Sequence, residues 1–186
     1  MELSPALAAK NPAYEELVRS AVLAGALPNI RQDIAESDVN LINAGALAQT
    51  NHVGCNVATM EDGEAADFET QVQVTVSSAS GQRSVRGALD GGQARVVGVD
   101  HWSSFPSFAP QGSVLLVQNT DKPGAIGQVA RILANEGINI AQMSVARQHP
   151  GSPALCVLLL DDRVTKATRQ RIATQDGIYS VATASF

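Results

Sequence analysis

The sequence predicts an α+β protein of two small domains, each an α/β sandwich in which helices pack on a sheet. Residues 68–100 alternate between apolar and polar side chains with a period of two, which is typical of half-buried strands. In residues 113–186, strand-like and helix-like segments follow one another. Residues 105–112, between these regions, contain two prolines and a glycine, which indicates a short, stiff linker. We therefore predict domains at residues 1–104 and 113–186.

Composition restricts the classes of protein that are possible. Of the 186 residues, 45% are hydrophobic and 17% are charged, as in a globular protein. The net charge of −5 provides no basic face for phosphates, so we expect no nucleic-acid partner. No apolar run approaches the roughly 20 residues that span a bilayer, and the N-terminal residues lack the pattern of a secretion signal. We expect a cytoplasmic protein without membrane contact, although an organelle targeting peptide could be missing from a fragment.

The first domain should begin with a helix over residues 12–27. Asn11 can cap this helix, Pro12 suits its first position, and Pro28-Asn29 should end it. One face of the helix carries residues at helical spacing, and we expect that face to be buried. Its members are Tyr14, Leu17, Val18, Ala21, Val22 and Gly25.

Short elements and an antiparallel meander should follow the helix. The predicted short elements are a β-like run at 39–43, a helical turn at 44–49 and a strand at 54–58. The acidic segment 60–67 is interpreted as a solvated loop. Turns at Ser80-Gly81 and at Asp90-Gly91-Gly92 indicate a three-stranded meander, with strands at 68–76, 83–89 and 94–100.

Cys55 and Cys156 belong to no Cys-x-x-Cys motif or Cys/His cluster, so we interpret both as reduced, buried thiols and predict no metal site.

The second domain has the predicted element order βαββαβ. Gly137 should end its first helix, and the turn at 149–153 should join its central strands. This order is that of the ferredoxin-like fold, in which two helices cover one face of a four-stranded antiparallel sheet. The predicted elements are strand 113–119, helix 124–136, strands 138–147 and 154–161, helix 165–174 and strand 178–185.

The segment from Asn119 to Gly127 combines a strand end, a Pro-Gly turn and a helix start. Backbone amides at a helix N-terminus attract a carboxylate, and Asp121 could pair with an ammonium group. Both charges of an amino acid could therefore be bound here. Alternatively, Asn119 and Asp121 only cap the turn, as such residues often do.

A second motif, Gly137-Ile138-Asn139-Ile140, follows the helix. Together, the turn Asn-x-Asp-x-Pro-Gly and this motif resemble the ACT domain, a small-molecule sensor attached to many enzymes of amino-acid metabolism. The resemblance covers residues 113–186 and implies that the turn after the first strand and the asparagine of the second motif contact a ligand across a pair of domains. The implied ligand-binding residues are Asn119, Asp121, Lys122, Pro123, Gly124, Ala125, Ile126 and Asn139.

The first domain resembles the allosteric substrate-binding domain of D-3-phosphoglycerate dehydrogenases. The similar segments are Leu3-Ser4-Pro5-Ala6, Asp38 to Ala44, Leu47-Ala48 and the strand pair around Gly87 to Val97. The chain departs from that family at Gly45, where a proline is common, and we identify no strand before the first helix. The resemblance implies an anion or substrate site. Its basic residues would be Arg83, Arg86 and Arg95, although we favour the interpretation of these arginines as solvent-facing charges on the sheet.

No catalytic residue is predicted in the chain. A dinucleotide-binding Gly-x-Gly-x-x-Gly turn is absent from the sequence, so we expect no cofactor here, and NAD would be bound by other domains of the implied enzyme. His52, His101 and His149 are scattered over different loops without an obvious nucleophile or carboxylate partner in the sequence.

The resemblance implies feedback sensing in serine biosynthesis. L-Serine, or another small amino acid, would bind between ACT domains of a homo-oligomer and act on the catalytic domains of the parent oxidoreductase. One alternative is the regulatory part of an L-serine dehydratase, which is disfavoured because the chain lacks a Pro-Ser-Ser-Ser-His segment. Another is an oligomerisation module without a live ligand site.

Overall fold

The chain forms two compact α+β units, Met1–Arg95 and Val96–Phe186. The predicted α+β class is confirmed. In the described part of the chain, no helix is both long enough and apolar enough to cross a membrane. The structure is a computed structural model that describes residues 2–3, 12–31, 33–59, 71–79, 81–102 and 106–186.

The first unit contains a sheet with a short parallel strand pair beside the predicted meander. Its strands are β1 (Glu2–Leu3), β2 (Ala58–Thr59), β3 (Gln71–Ser78), β4 (Gly81–Asp90) and β5 (Gln93–Val99), in the order β2-β1-β3-β4-β5. β1 runs parallel to β2 and antiparallel to β3. The sequence analysis did not identify β1. Residues 96–99 of β5 fall within the second unit.

Helix α1 spans Pro12–Ile30, so Pro28 lies inside it and the predicted end at this proline is wrong. Proline removes one backbone donor from a helix. The Asn29 Nδ2 donates to the carbonyl oxygen of Gly25 at 3.0 Å, and the Arg31 amide donates to that of Leu27 at 2.8 Å. These bonds close the last turn around the proline.

The buried face of α1 also differs from the predicted one. Leu23 and Leu27 are buried and pack with Ala44 and Ala48 of helix α2 (Ala44–Thr50). The predicted face is wrong, because its large members Tyr14 and Leu17 are exposed. The second half of α1 is apolar nearly all round, so helical spacing alone did not select one face.

The β-like run at 39–43 is a turn that leads into α2 rather than a strand. The Asn40 amide donates to Asn43 Oδ1 at 2.8 Å, and Asn40 Oδ1 accepts from the Asn43 amide at 3.0 Å. These side-chain bonds compete with strand formation and begin the helix. Leu41 and Ile42, whose side chains suggested the strand, are exposed.

The second unit has the predicted ferredoxin-like fold. Its sheet is antiparallel throughout, in the order β7-β8-β6-β9, and the ends of the predicted elements shift by at most two residues. The strands are β6 (Ser113–Asn119), β7 (Ile140–Arg147), β8 (Ala154–Leu160) and β9 (Ile178–Ser185), and the helices are α3 (Ala125–Asn135) and α4 (Lys166–Ala173).

Both helices cover one face of this sheet. Helix α3 presents apolar residues at helical spacing, and α4 contributes Ile172, which is fully buried. These side chains meet alternate residues of the two central strands, which is the expected consequence of strand geometry. The members of this core include Leu115, Val117, Val129, Ile132, Leu133, Cys156, Leu158 and Ile172.

The opposite face of the sheet is covered by the segment that precedes β6. Trp102 and Phe108 are buried there, and backbone bridges join Val96 to Phe108 and Val99 to Trp102. The predicted linker therefore contains a core residue of the second unit. The strand residues under this segment are Val114, Ala146, Leu155 and Val157. Because β8 is buried on both faces, its sequence is a continuous apolar run rather than an alternating one.

Cys156 should react slowly with thiol reagents in the folded protein. Both cysteines are free, and burial raises the pKa of the Cys156 thiol to about 11. Because the thiolate is the reacting form, we expect a disulfide reagent at about pH 8 to modify half-buried Cys55 first and Cys156 only after unfolding. Thiol titration with and without denaturant measures this difference. A fast reaction of folded Cys55→Ser protein would contradict it.

Candidate functional site

The turn between β6 and α3 is held by backbone hydrogen bonds. The Thr120 amide donates to the carbonyl oxygen of Gly177 at 2.7 Å, and the Lys122 amide donates to that of Thr120 at 2.9 Å. Gly124 precedes α3 with a φ of 92°, a conformation that favours glycine. Since glycine has no side chain to cap the helix, and the first turn of α3 has no acidic residue, amides at its start remain suited to an anion.

Asn119 places a buried amide group at the end of β6. Its side chain is only 2% exposed, and its Nδ2 donates to the carbonyl oxygen of Thr120 at 2.7 Å. Among the described residues, Oδ1 has no hydrogen-bond partner. A buried acceptor without a partner costs about 1–3 kcal/mol. The Asn119 oxygen therefore keeps an unused acceptor at the end of β6.

Asp121 already has two partners within the chain. Its Oδ2 accepts from Arg147 Nη1 at 2.5 Å and from the Gly151 amide at 3.0 Å. The Gly151 amide, and then the Arg147 guanidinium, lower the pKa of the Asp121 carboxyl below its ordinary value of 3.8. The carboxylate thus connects the β6–α3 turn with the end of β7 and with the turn before β8. The sequence analysis considered a ligand ammonium or the turn itself as its partner, and neither Arg147 nor Gly151.

Asn139 lies before β7 and is paired with Asp161, which follows β8. The Asn139 Nδ2 donates to Asp161 Oδ2 at 2.7 Å, and the Asp161 amide donates to the Asn139 carbonyl oxygen at 3.2 Å. With its nitrogen turned toward Asp161, the Asn139 amide presents Oδ1 on its other side. Neither Asp161 nor Arg147 was predicted as a site residue, because no local sequence pattern reveals partners that are far apart in the chain.

The predicted ligand-binding residues do not all meet in one chain. Asn119 pairs with Ala154 at one end of the sheet, whereas Ser113, at the start of the same strand, pairs with Leu160. Asn139 lies at this second end, because β7 begins opposite Leu160. The length of β6 separates the two ends by roughly 20 Å. A second copy of the chain would therefore have to supply Asn139 to the turn that carries Asn119.

The three arginines of the predicted anion site do not share one face. Arg83 and Arg86 are three residues apart on β4, in unbroken register with β3, so their side chains lie on opposite faces of the sheet. Arg86 donates through Nε and Nη2 to Gln73 Oε1 at 3.2 and 2.9 Å. An anion bound in the first unit could contact Arg83 or Arg86 but not both, and Arg95 lies on the neighbouring strand β5.

The first unit also contains a cavity of about 340 Å³ that the sequence analysis missed. It lies between α1, residues 52–56 and β3, and its lining includes Leu23, Val74 and Cys55. Within the described ranges, no group of three or more His, Cys, Asp and Glu residues is placed to hold a metal ion.

Gly177 should be required for the conformation of the β6–α3 turn. A Cβ atom at Gly177, where φ is 77°, would lie 2.6 Å from Thr120 Oγ1. At Gly137, where φ is 71°, no described residue lies within 4 Å of the Cβ position. We expect Gly137→Ala to lower the free energy of unfolding by about 1–2 kcal/mol and Gly177→Ala to lower it further. Denaturant unfolding measures both changes. In a Thr120→Ala background the two substitutions should cost the same, and a persisting excess at Gly177 would contradict the predicted clash.

The bonds to Asp121 should stabilise the second unit in a pH-dependent way. Because the folded protein lowers the pKa of this carboxyl, the stabilisation is present above 3.8 and is lost as the pH falls through the folded-state pKa. We expect the stability difference between the natural chain and Asp121→Asn to be constant above about pH 5 and to shrink at about pH 3. Asp162→Asn controls for the loss of one negative charge. An equal difference at both pH values would argue against these bonds.

Family models match both parts of the chain. Residues 113–177 match the family model of the ACT domain, and residues 8–100 match that of the D-3-phosphoglycerate dehydrogenase intervening domain. The relatives include D-3-phosphoglycerate dehydrogenases of Methanocaldococcus jannaschii, 30% identical over 90% of this chain, and Archaeoglobus fulgidus, 30% identical over 92%. D-3-phosphoglycerate dehydrogenase 3, chloroplastic, of Arabidopsis thaliana is 29% identical over 84% of the chain.

The matched region is only part of each relative. It covers 30%, 31% and 27% of their respective lengths, so this chain spans about a third of them or less. Both resemblances drawn from the sequence motifs are confirmed. The chain belongs to the D-3-phosphoglycerate dehydrogenase intervening-domain family and carries an ACT domain after that domain.

Proposed function

We propose that the chain is the regulatory part of a D-3-phosphoglycerate dehydrogenase and that its ACT domain binds L-serine between two copies. The observation that carries this proposal is the buried oxygen of Asn119, which has no hydrogen-bond partner among the described residues, beside a helix start that no described side chain caps. The proposed domain bounds remain 1–104 for the intervening domain, 105–112 for the linker and 113–186 for the ACT domain.

The polar groups of the turn complement an amino acid. Asn119 Oδ1 and the Asp121 carboxylate are acceptors for an ammonium group, and the amides at the start of α3 attract a carboxylate. A small ligand such as L-serine suits a site built at a turn. As the end product of serine biosynthesis, L-serine is also the natural effector for feedback on the pathway that the family name implies.

The edge strand β7 offers a way to complete the site. Among the described residues no strand pairs with its outer edge, and its side chains Met143 and Val145 are 48% and 42% exposed. Such an edge is a template for pairing with another strand. If two copies pair through β7 about a two-fold axis, the strands run antiparallel and the start of one lies opposite the end of the other. Asn139 of the second copy would then lie beside the turn that carries Asp121.

A ligand held by two copies would couple binding to assembly. Each bound amino acid would stabilise the paired arrangement over any arrangement in which Asn139 is withdrawn, because only the paired form makes all contacts. In the intact enzyme, this preference would shift the attached catalytic domains toward a less active state. The arginines of the intervening domain could add a weaker anion or substrate site.

L-Serine binding is tested by calorimetry on the full chain. We expect heat on titration with L-serine, and an affinity lowered about tenfold or more in Asn139→Ala, because a hydrogen-bonded amide is removed. Asn135→Ala, which changes an exposed asparagine at the end of α3, is the matched control and should bind as the natural chain does. Absence of heat at several temperatures would refute the proposal.

A mixing experiment tests whether two copies share the site. Asp121→Ala and Asn139→Ala should each bind L-serine poorly when alone. A mixed pair combines an intact turn from the Asn139→Ala chain with an intact Asn139 from the Asp121→Ala chain, so mixing should restore part of the binding. If mixed pairs form and no binding returns, the site is not shared in this way.

The other candidate function is an oligomerisation module without a live ligand site. It is favoured by the pairing of Asp121 with Arg147 and of Asn139 with Asp161, which gives both side chains a partner in the absence of a ligand. This alternative predicts paired chains whose association is unchanged by L-serine. Sedimentation with and without L-serine separates the two functions.

A further inference from the structure

Arg147 is a cation that contacts the β6–α3 turn, although no sequence motif indicated it. It ends β7, its side chain is half exposed, and its Nη1 donates to Asp121 Oδ2 at 2.5 Å. A guanidinium has five N–H donors in a planar fork. Only one of the five is used by Asp121 among the described hydrogen bonds, so the others are available for a second acceptor.

Only one oxygen of the Asp121 carboxylate has hydrogen-bond partners among the described residues. Both of its hydrogen bonds, from Arg147 and from the Gly151 amide, go to Oδ2. Among the described residues, no hydrogen bond reaches Oδ1. The pair thus presents a carboxylate oxygen and a guanidinium side by side at the turn. In an amino acid, the ammonium and carboxylate groups are attached to one carbon atom. The negative Asp121 and the positive Arg147 are placed to face these two groups.

We propose that Arg147 binds the carboxylate of the amino acid while Asp121 holds its ammonium group. This inference rests on the proposed function, because it assigns a contact within the same site. The start of α3 provides only about half a unit of positive charge, whereas a carboxylate carries a full negative charge. Arg147 supplies a formal charge and a bidentate donor set that matches carboxylate geometry. Asp121 fixes the guanidinium in place before the ligand arrives.

Arg147 also makes the ligand contact the proposed pairing strand directly. Its side chain belongs to β7, the strand that carries Met143 and Val145 at the edge of the sheet. A carboxylate bound by Arg147 would therefore join the turn before α3 to this edge. Lys122 is the other cation of the turn, and it is exposed. The two cations are distinguished by substitution.

The test measures how the natural chain and its variants bind two ligands that differ only in the carboxylate. L-Serinamide keeps the ammonium and the side chain but replaces the carboxylate with a neutral amide. In the full chain we expect L-serine to bind much more tightly than L-serinamide. In Arg147→Gln, L-serine should lose about tenfold or more in affinity while L-serinamide changes by less than about twofold, so that the preference collapses. Competition against bound L-serine gives the affinity of L-serinamide where its heat is small.

Matched controls separate carboxylate binding from a structural role. Arg171, which pairs with Glu136, is as exposed as Arg147, so Arg171→Gln removes an equivalent ion pair elsewhere in the ACT domain and should leave both affinities unchanged. Arg147→Lys keeps the charge and should retain part of the preference. Thermal unfolding of each variant shows that it is folded, and the Gly151 amide still holds Asp121 when Arg147 is changed.

Three results would overturn the inference. Arg147→Gln could weaken L-serine and L-serinamide equally, which would make Arg147 only a positioning residue for the turn. It could leave the preference unchanged, or Lys122→Gln could remove the preference instead. Failure of the proposed function is a different result, because the natural chain would then bind neither ligand.

Discussion

The burial of β8 on both faces is the constraint on which the second unit depends. One face meets α3 and α4, and the other meets Trp102 and Phe108 of the preceding segment. The two central strands β6 and β8 therefore have no free face for a partner, whereas Met143 and Val145 of the outer strand β7 are exposed. We expect association and ligand binding at the outer strands and at the turns at the ends of the sheet. The proposed site uses both features, because the β6–α3 turn lies at one end and β7 forms one edge.

The charged groups of the site act near the surface, so each contact is weak by itself. The ion pair between Asp121 and Arg147 is exposed to solvent, and such pairs contribute little to stability. The pair between Asp121 and Arg147 instead fixes the position of the β6–α3 turn relative to β7. A ligand that engages the same groups meets side chains whose orientation is already set, and it loses less entropy on binding.

The sequence was sufficient for the second unit but not for all of the first. Strands and helices in residues 113–186 have distinct periodicities and are separated by turns rich in proline and glycine. Their order could therefore be predicted, and their ends could be predicted within two residues. In α1, a run of small apolar residues has no single apolar face, and the helix continues through Pro28, where the sequence predicted its end, to Ile30. The site residues that the motifs identified lie close together in the sequence. Arg147 is 26 residues from Asp121, and Asp161 is 22 from Asn139, so these partners depend on strand pairing.

The segment before β6 has a consequence for how this protein can be divided. Its prolines and glycine look like a hinge between modules, yet Phe108 and Trp102 seal the second unit's sheet. A chimera joined at residue 113 would uncover Leu155 and Val157 and leave an apolar surface open to aggregation. The second unit begins at Val96, inside what the strand pattern alone assigns to the domain before it.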